Sequence, residues 1–435
     1  VGSDGYITAG EVLEEDIVEL LINQGVIDAQ EAAGLLIDYN YNTFTRTQDS
    51  ATLHAGEEFD AFEMYGGRKR CIVGRDGAIK AWFGDANYVE DGSLGSVMVY
   101  QPKFYYARAF ITTETADSGN IIRKENLILS SKKQLGLKVH PLFIDENGNE
   151  IDYVLLPAYE SAFYDTSAGA VITNDAADMD ASTDYLMSIA GTKPVSGANK
   201  TFNISIAEQM ANNIGDGWHI TNMASESAMQ MLFTVEYGQM NGQQAIEAGL
   251  TNLSASTTIN AASITGSTSI LGNNSGAAET TINEISGTYT EYSTPGLRAI
   301  SYRGYENPWG NIWRFVGGIS VYGDGNSGAG VPYIAKDYNY IPSSISTYDN
   351  MGYQLVNNTG WISAFGYKNT DYNWVYLPIE ANGATSLLPV GDFVWISANL
   401  NDLNVVSVGG TIRQQDNCGL FYYAFDRAAL SSSAT

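Results

Sequence analysis

The chain has 435 residues, enough for two or three domains with a buried core, and its 49 Asp and Glu against 22 Lys and Arg give a formal charge of −27. So strong an excess of carboxylates excludes a partner bound through a phosphate backbone, and no nucleic acid is expected among its ligands. Only 16% of residues are charged while Gly numbers 45 and Tyr 28, a palette suited to a β-rich, loop-rich body that meets partners through Tyr, Ser, Gly and Asn.

Along the chain, Val12, Leu13, Ile17, Leu20 and Leu21 fall on one helical face. Asp28-Ala-Gln-Glu31 then has capping-box spacing ahead of Ala32, Leu35 and Leu36. Residues 1–45 are therefore expected to form a helical segment, used for packing on the next domain or for assembly. Asp4-Gly5-Tyr6-Ile7 with Glu11 matches only the second half of a calcium loop, and a helix cap is the default there.

Residues 46–140 are expected to form a small β-domain. Arg70-Cys-Ile-Val73 and Ile79-Lys-Ala-Trp-Phe83 flank an Asp76-Gly77 hairpin signal, and Val97 to Tyr106 reads as a further strand. Pro141–Ile144 and Ile151–Leu156 suggest another hairpin across Asp145-Glu-Asn-Gly-Asn-Glu150. Two helices follow, Ser205–Ile214 ending at Gly215 and Ser225–Tyr237 ending at Gly238, and Met229, Leu232, Phe233 and Glu236 mark the second as largely buried. Residues 251–293 are rich in Ser, Thr, Asn, Gly and Ala and read as an inserted hairpin or a loop. Strands return at Trp361–Phe365, Trp374–Leu377, Phe393–Ile396, Val405–Val408 and Leu420–Phe425.

No catalytic constellation stands out, and no enzyme activity is expected. His54, His140 and His219 lie in unrelated contexts, and Cys71 and Cys418 are too far apart to suggest a disulfide framework or a zinc site; neither a metal nor a cofactor is expected. Tyr302 to Phe315 is the densest aromatic segment and reads as a core layer in which Arg303, Glu306, Asn307 and Asn311 satisfy loop backbone. No apolar run reaches the length of a membrane span, so no membrane insertion is expected, and Val1-Gly-Ser-Asp4 lacks a signal pattern and suggests a trimmed end.

The C-terminal part reads differently. After Val405-Val-Ser-Val-Gly-Gly410 comes Thr411-Ile-Arg-Gln-Gln-Asp-Asn417, which mixes cation, anion, amide and apolar side chains without periodicity, and then the aromatic strand from Cys418. A double-glycine turn on one side and an aromatic strand on the other would hold such a loop while its side chains vary, a pattern of recognition.

Gly-Asp-Gly-Trp-His-Ile220, Glu-Tyr-Gly238, Tyr-Arg-Gly-Tyr-Glu-Asn-Pro-Trp-Gly-Asn-Ile-Trp313, Pro-Val-Gly-Asp392, Val-Gly-Gly410 and Gly-Leu-Phe-Tyr422 occur in an order that resembles the variable proteins of diversity-generating retroelements. Among these are phage tail receptor-binding proteins of the tropism-determinant type. The resemblance implies an α+β, β-rich chain with a C-type lectin-like ligand-binding domain over residues 141–435. It further implies a virion-tail adhesin, a homotrimer beside other tail proteins, binding a glycan or protein receptor on a bacterial surface. A related alternative is a binder displayed on the surface of a bacterium or archaeon.

In that family, rewriting of template adenines diversifies Asn codons near the C-terminus. Carried onto this chain, the ligand-binding positions are Trp395, Asn399 and Asn401 before the turn, Thr411, Ile412, Arg413, Asp416 and Asn417 in the loop, and Tyr423, Phe425, Asp426 and Arg427 on the last strand. Gln414 and Gln415 depart from the pattern, since no adenine change converts an Asn codon into a Gln codon. The family's closing Ile-Gly-x-Arg-like stretch is also missing, which suggests a shortened end. The Gly-Asn-Ile-Trp313 segment is similar as well to formylglycine-generating sulfatase modifiers, oxidases that use paired C-terminal cysteines and copper, whereas Cys418 is alone in its region.

Overall fold

The computed structural model describes residues 31–172, 177–197, 200–252, 262–282, 289–291, 296–324, 330–336, 340–342, 344–383, 386, 389–396 and 401–428. The helix expected from Val12 to Leu21 and the half calcium loop lie outside them. The elements that matter for function are, in chain order, β1 (Ala32–Asp38), β2 (Thr43–Gln48), β3 (Lys69–Val73), β4 (Ile79–Trp82), β5 (Ser96–Pro102), β6 (Tyr105–Ala116), β7 (Gly119–Ser130) and β8 (Tyr153–Pro157). Helices α1 (Ile204–Asn212) and α2 (Met223–Tyr237) follow. The chain then runs through β9 (Arg314–Asp324), β10 (Val331–Ala335), β11 (Tyr348–Asn350), β12 (Gly360–Tyr367), β13 (Leu377–Asn382), β14 (Phe393–Trp395), β15 (Asn401–Gly409) and β16 (Gly419–Ala428). The chain is β-rich, as its composition suggests.

One large sheet dominates. β7 pairs along one edge with β6 and along the other with β1 and then, at Ile121 and Asn120, with β12. From β12 the sheet continues through β14, β16, β15, β9, β10 and β11, and among the described strands the β14–β16 pair alone is parallel. A second sheet holds β4, β3, β5 and β8 in that order.

These pairings correct several expectations. Ala32, Leu35 and Leu36 belong to a strand, not a helix, because β1 lies between β2 and β7 and its period of two sends Ala33, Leu35 and Ile37 into the main core. Val97–Tyr106 is not one strand: Lys103 and Phe104 separate β5 from β6. The first arm of the hairpin expected at 141–156 is a short 3-10 turn at Pro141–Phe143, joined to the second arm only by an Ile144–Glu150 bridge. Nor do the boundaries expected at 45/46 and 140/141 separate independent sheets, since β1 pairs with β7, β5 with β8 and β7 with β12.

Both helices form where their sequence periodicity places them, but Asn caps them in place of Ser. Asn203 Oδ1 accepts from Ile206 N–H at 3.1 Å, and Asn222 Oδ1 accepts from Ser225 N–H at 3.0 Å while Ser225 Oγ accepts from Asn222 N–H at 2.9 Å. Gly238 ends α2 in the left-handed conformation at φ 64°.

α2 is buried along nearly its whole length, and several of its polar side chains make bonds that fix the elements around it. Glu236 holds Arg303 at 2.8 Å and the Tyr302 hydroxyl at 2.9 Å, and Gln230 Nε2 donates to Leu420 O at 3.1 Å. Ser227 Oγ donates to Trp374 O at 2.5 Å and accepts from His140 Nε2 at 3.2 Å. Because His140 Nδ1 accepts from Leu142 N–H at 3.2 Å, the ring is the neutral Nε2–H tautomer, and burial pushes its pKa down to about 3.

The aromatic segment 302–315 is the core layer its composition suggests. Trp309 is fully buried, and Arg303, Asn307 and Asn311 all take positive φ, at 45°, 47° and 58°. Such backbone holds because the surroundings fix it: Asn311 Oδ1 accepts from Ser263 N–H at 2.8 Å, and Glu306 accepts from Gly266 N–H at 2.8 Å and Thr268 N–H at 2.7 Å. The described part of the 251–293 segment is thus built into the core at Ser263–Thr268, and it includes a Thr280–Ile282/Tyr289–Glu291 hairpin.

Candidate functional site

The segment after β15 is anchored before it is displayed. Gly409 and Gly410 both take positive φ, 90° and 85°, and a Cβ on Gly410 would stand 2.5 Å from Cys418 Sγ, so only glycine fits there. The loop beyond is pinned at both ends by backbone bonds, Ile412 N–H to Asn311 O at 3.1 Å and Gln415 N–H to Thr251 O at 2.9 Å. Gln414 Oε1 accepts from Thr411 N–H at 2.9 Å and its Nε2 donates to the Tyr422 hydroxyl at 2.9 Å, which gives this residue a structural task.

Exposure then sorts the expected ligand residues. Arg413 and Asp416 are exposed, and Thr411 and Asn417 are half-buried. Ile412 is not displayed. It packs with Leu250, Ala278 and Ala299 in a small apolar cluster.

On β16 the expected face is reversed. Tyr423 and Phe425 are fully buried in the main core, stacked at 5.6 Å between ring centres, and the Tyr423 hydroxyl accepts from Gln230 Nε2 at 2.8 Å. A one-residue change of parity moves every side chain to the other side of a sheet, and here Tyr422, Ala424 and Asp426 occupy the outer side. Pairing fixes this assignment: Val394 is opposite Tyr423 on the core side, and Trp395 is opposite Ala424 on the outer side. A bulge follows, with Val405 paired to Arg427 and Ser407 to Ala424. Asn399 lies outside the described residues, and of Asn401 and Arg427 only the backbone is described.

The outer side of β12, β14 and β16 carries an aromatic row. Trp361 meets Phe393 edge-on at 5.1 Å, Phe393 meets Tyr422 at 6.0 Å, and Tyr422 meets Trp313 at 4.6 Å. Tyr422 and Trp313 form the buried base of the row, while Trp361 and Phe393 are half-buried. Next to them Trp395 stands 45% exposed, with its Nε1 donating to Asp426 Oδ2 at 3.1 Å. Trp361, Phe393, Tyr422 and Trp313 were missed in the sequence as parts of this face. Phe393 and Tyr422 lie one pleat from Trp395 and its partner Ala424, and Trp361 is in register with Phe393, whereas Trp313, just before β9, joins the row only through Tyr422.

Chemically the arrangement offers flat apolar area, an indole N–H already oriented by a carboxylate, and a charged loop, all on a sheet whose other side is close-packed. Asp392 secures the strand: its buried carboxylate accepts from Phe421 N–H at 2.7 Å, and burial pushes its pKa up. Among the described residues no group of three or more His, Cys, Asp or Glu side chains could hold a metal ion. Fold and site together define a β-rich chain with a firmly supported aromatic face suited to non-covalent recognition. No protein-family model matches the chain, and no curated protein matches it.

Proposed function

We propose that the chain is a receptor-binding protein of a phage tail or fibre tip, which attaches to a bacterial surface receptor through the outer side of β12, β14 and β16 and the loop 411–417. The supporting observation is the contrast between the two sides of β14 and β16. Val394, Tyr423 and Phe425 are sealed in the core, whereas Trp395 remains open to solvent beside Asp426. Rigid aromatic anchors with adaptable polar neighbours give large contact area at little entropic cost, and they are the residues that dominate binding energy at interfaces. Variation of Trp395, Arg413, Asp416 and Asp426 would leave the strands beneath intact, which is what a diversified surface requires.

The resemblance to retroelement variable proteins supplies the remainder of the reading: a C-type lectin-like organisation of the C-terminal part, a homotrimer, and other tail proteins as neighbours. Several copies on one particle would multiply a weak single-site affinity by raising the effective concentration of the remaining sites. Against the oxidase reading stand the thiols themselves. Cys71 and Cys418 are buried in different clusters, and burial raises the pKa of both, Cys71 to about 12.

The test is adsorption to host cells by the purified protein or the particle. Trp395→Ala combined with Asp416→Ala is expected to weaken adsorption by at least about tenfold while leaving the melting temperature nearly unchanged. Undiminished adsorption by the folded double variant would refute the proposal.

A further inference from the structure

A cleft of about 920 Å³ opens among β8, α1 and the start of β9, a volume that suits a small organic ligand. Its walls are apolar and aromatic, with Leu155, Phe202, Trp218, Trp313 and Phe315 among them. Asp145, Glu146, Glu150, Asp152, Glu160 and Asp216 also line it, against a single guanidinium, that of Arg314. Lys103 offsets Glu150 and Asp152 at 3.1 and 2.9 Å, and His219, also in the lining, is held by Glu208 at 2.6 Å.

A rim of acids would carry little by itself, but Glu160 is nine-tenths buried and incompletely bonded. One carboxylate oxygen, Oε2, accepts from the Asn311 amide, whereas Oε1 meets no group in hydrogen-bonding geometry. Facing Glu160 are Arg314, Glu306, Tyr305 and the Ile312 N–H. Glu306 is already satisfied by Thr268 and Gly266, and Arg314 is paired with Glu226 at 3.4 Å and donates to Asn307 O at 3.1 Å. Within this buried group Glu160 is thus left with one carboxyl oxygen that no neighbour satisfies. Arg314 Nε is also without an acceptor. A buried acceptor and a buried donor without partners beside an apolar wall favour a ligand that offers a donor to Glu160 and an acceptor to Arg314, since such atoms are costly to leave unpaired.

We propose that this cleft binds an organic cation of peptide-like chemistry, an ammonium or guanidinium on an apolar stem that places its charge against Glu160 and offers a carbonyl oxygen to Arg314. The acidic lining and the net charge of −27 favour such a ligand over an anion both at encounter and once bound. Burial holds the Glu160 carboxyl near a pKa of about 8, so at neutral pH it is largely protonated and must ionise to receive the cation. Binding should accordingly tighten from pH 6 to pH 9 and release protons near pH 7. The cleft shares Trp313 with the receptor face, but the inference does not rest on that face, and its failure would leave that reading untouched.

Calorimetry with benzoyl-arginine amide and its neutral isostere benzoyl-citrulline amide tests it on the intact chain. The arginine compound is expected to bind at least about tenfold more tightly than the citrulline one, with proton release at pH 7 measured from buffers of different ionisation heat. In Glu160→Gln, which keeps the shape of the side chain and removes the ionisation, the preference, the proton release and the pH dependence should all disappear. Equal binding of the two compounds, no binding of the arginine compound, or an unchanged pH profile in folded Glu160→Gln would each overturn the proposal. The comparison of the two compounds needs no variant and so stands even if the substitution disturbs folding.

Discussion

Neighbouring side chains along β16 perform opposite tasks. Tyr423 fills the core and satisfies Gln230, while Asp426 orients the indole of Trp395 on the outer side. Tyr423→Ala should therefore destabilise the protein by about 3–5 kcal/mol, the usual cost of removing a buried aromatic ring, with a further contribution from the loss of one of the two bonds that Gln230 Nε2 donates. Chemical denaturation measures this, and a change below about 1 kcal/mol would contradict the core assignment. The same residue shows why the site was only partly legible. Leu420, Phe421, Tyr422, Tyr423 and Phe425 are apolar or aromatic on both sides, because even the outer side is covered at Tyr422 by Trp313, so no alternation marked which parity faces out. Gln414, in the middle of the loop 411–417, is bonded to Thr411 and Tyr422 and so has a structural task beneath the displayed residues.

At the scale of elements, the helices were the most legible part because their periodicity is long and their ends are marked. Gly238 adopts the left-handed φ that a terminal glycine implies, and the buried positions of α2 include Met229, Leu232, Phe233 and Glu236. The caps lay slightly outside the expected bounds, since Asn203 and Asn222 compete well with Ser for that role. Asn222→Ala should cost about 1–2 kcal/mol, because it removes the Asn222 Oδ1–Ser225 N–H bond, one half of a reciprocal capping box in a helix on which much of the core is built. Thermal unfolding of the variant reads this directly, and an unchanged melting temperature would show that the cap contributes nothing. β1 was the least legible element. Ala32-Ala-Gly-Leu-Leu-Ile-Asp38 satisfies a helical pattern as well as a strand pattern, and only its long-range pairing with β7 decides between them.

On the scale of the whole molecule, the expected domain border at residue 140 is crossed by many side-chain bonds. Arg123 grips Glu380 through both guanidinium nitrogens at 2.5 and 2.9 Å, the Tyr106 hydroxyl donates to Asn373 Oδ1 at 2.8 Å, and Arg108 reaches Asn373 O and Val375 O at 2.9 and 3.0 Å. Arg303 donates back to Asp60 at 2.7 Å, and the buried Arg70 donates to Gly304 O at 2.8 Å. One apolar core draws on Leu35, Val97 and Leu127 from the first part and on Phe233, Phe365 and Phe421 from the second. Linear patterns could not reveal this, because contacts separated by more than 200 residues leave no local periodicity. A fragment of residues 141–435 is thus expected to lack a cooperative unfolding transition, since it would strip β12 of β7 and expose the face of α2 that packs on β1 and β7. Near-ultraviolet circular dichroism and a melting curve of that fragment provide the check. A sharp transition close to that of the full chain would mean that the second part folds alone, and the proposed binding face could then be studied without the residues before it.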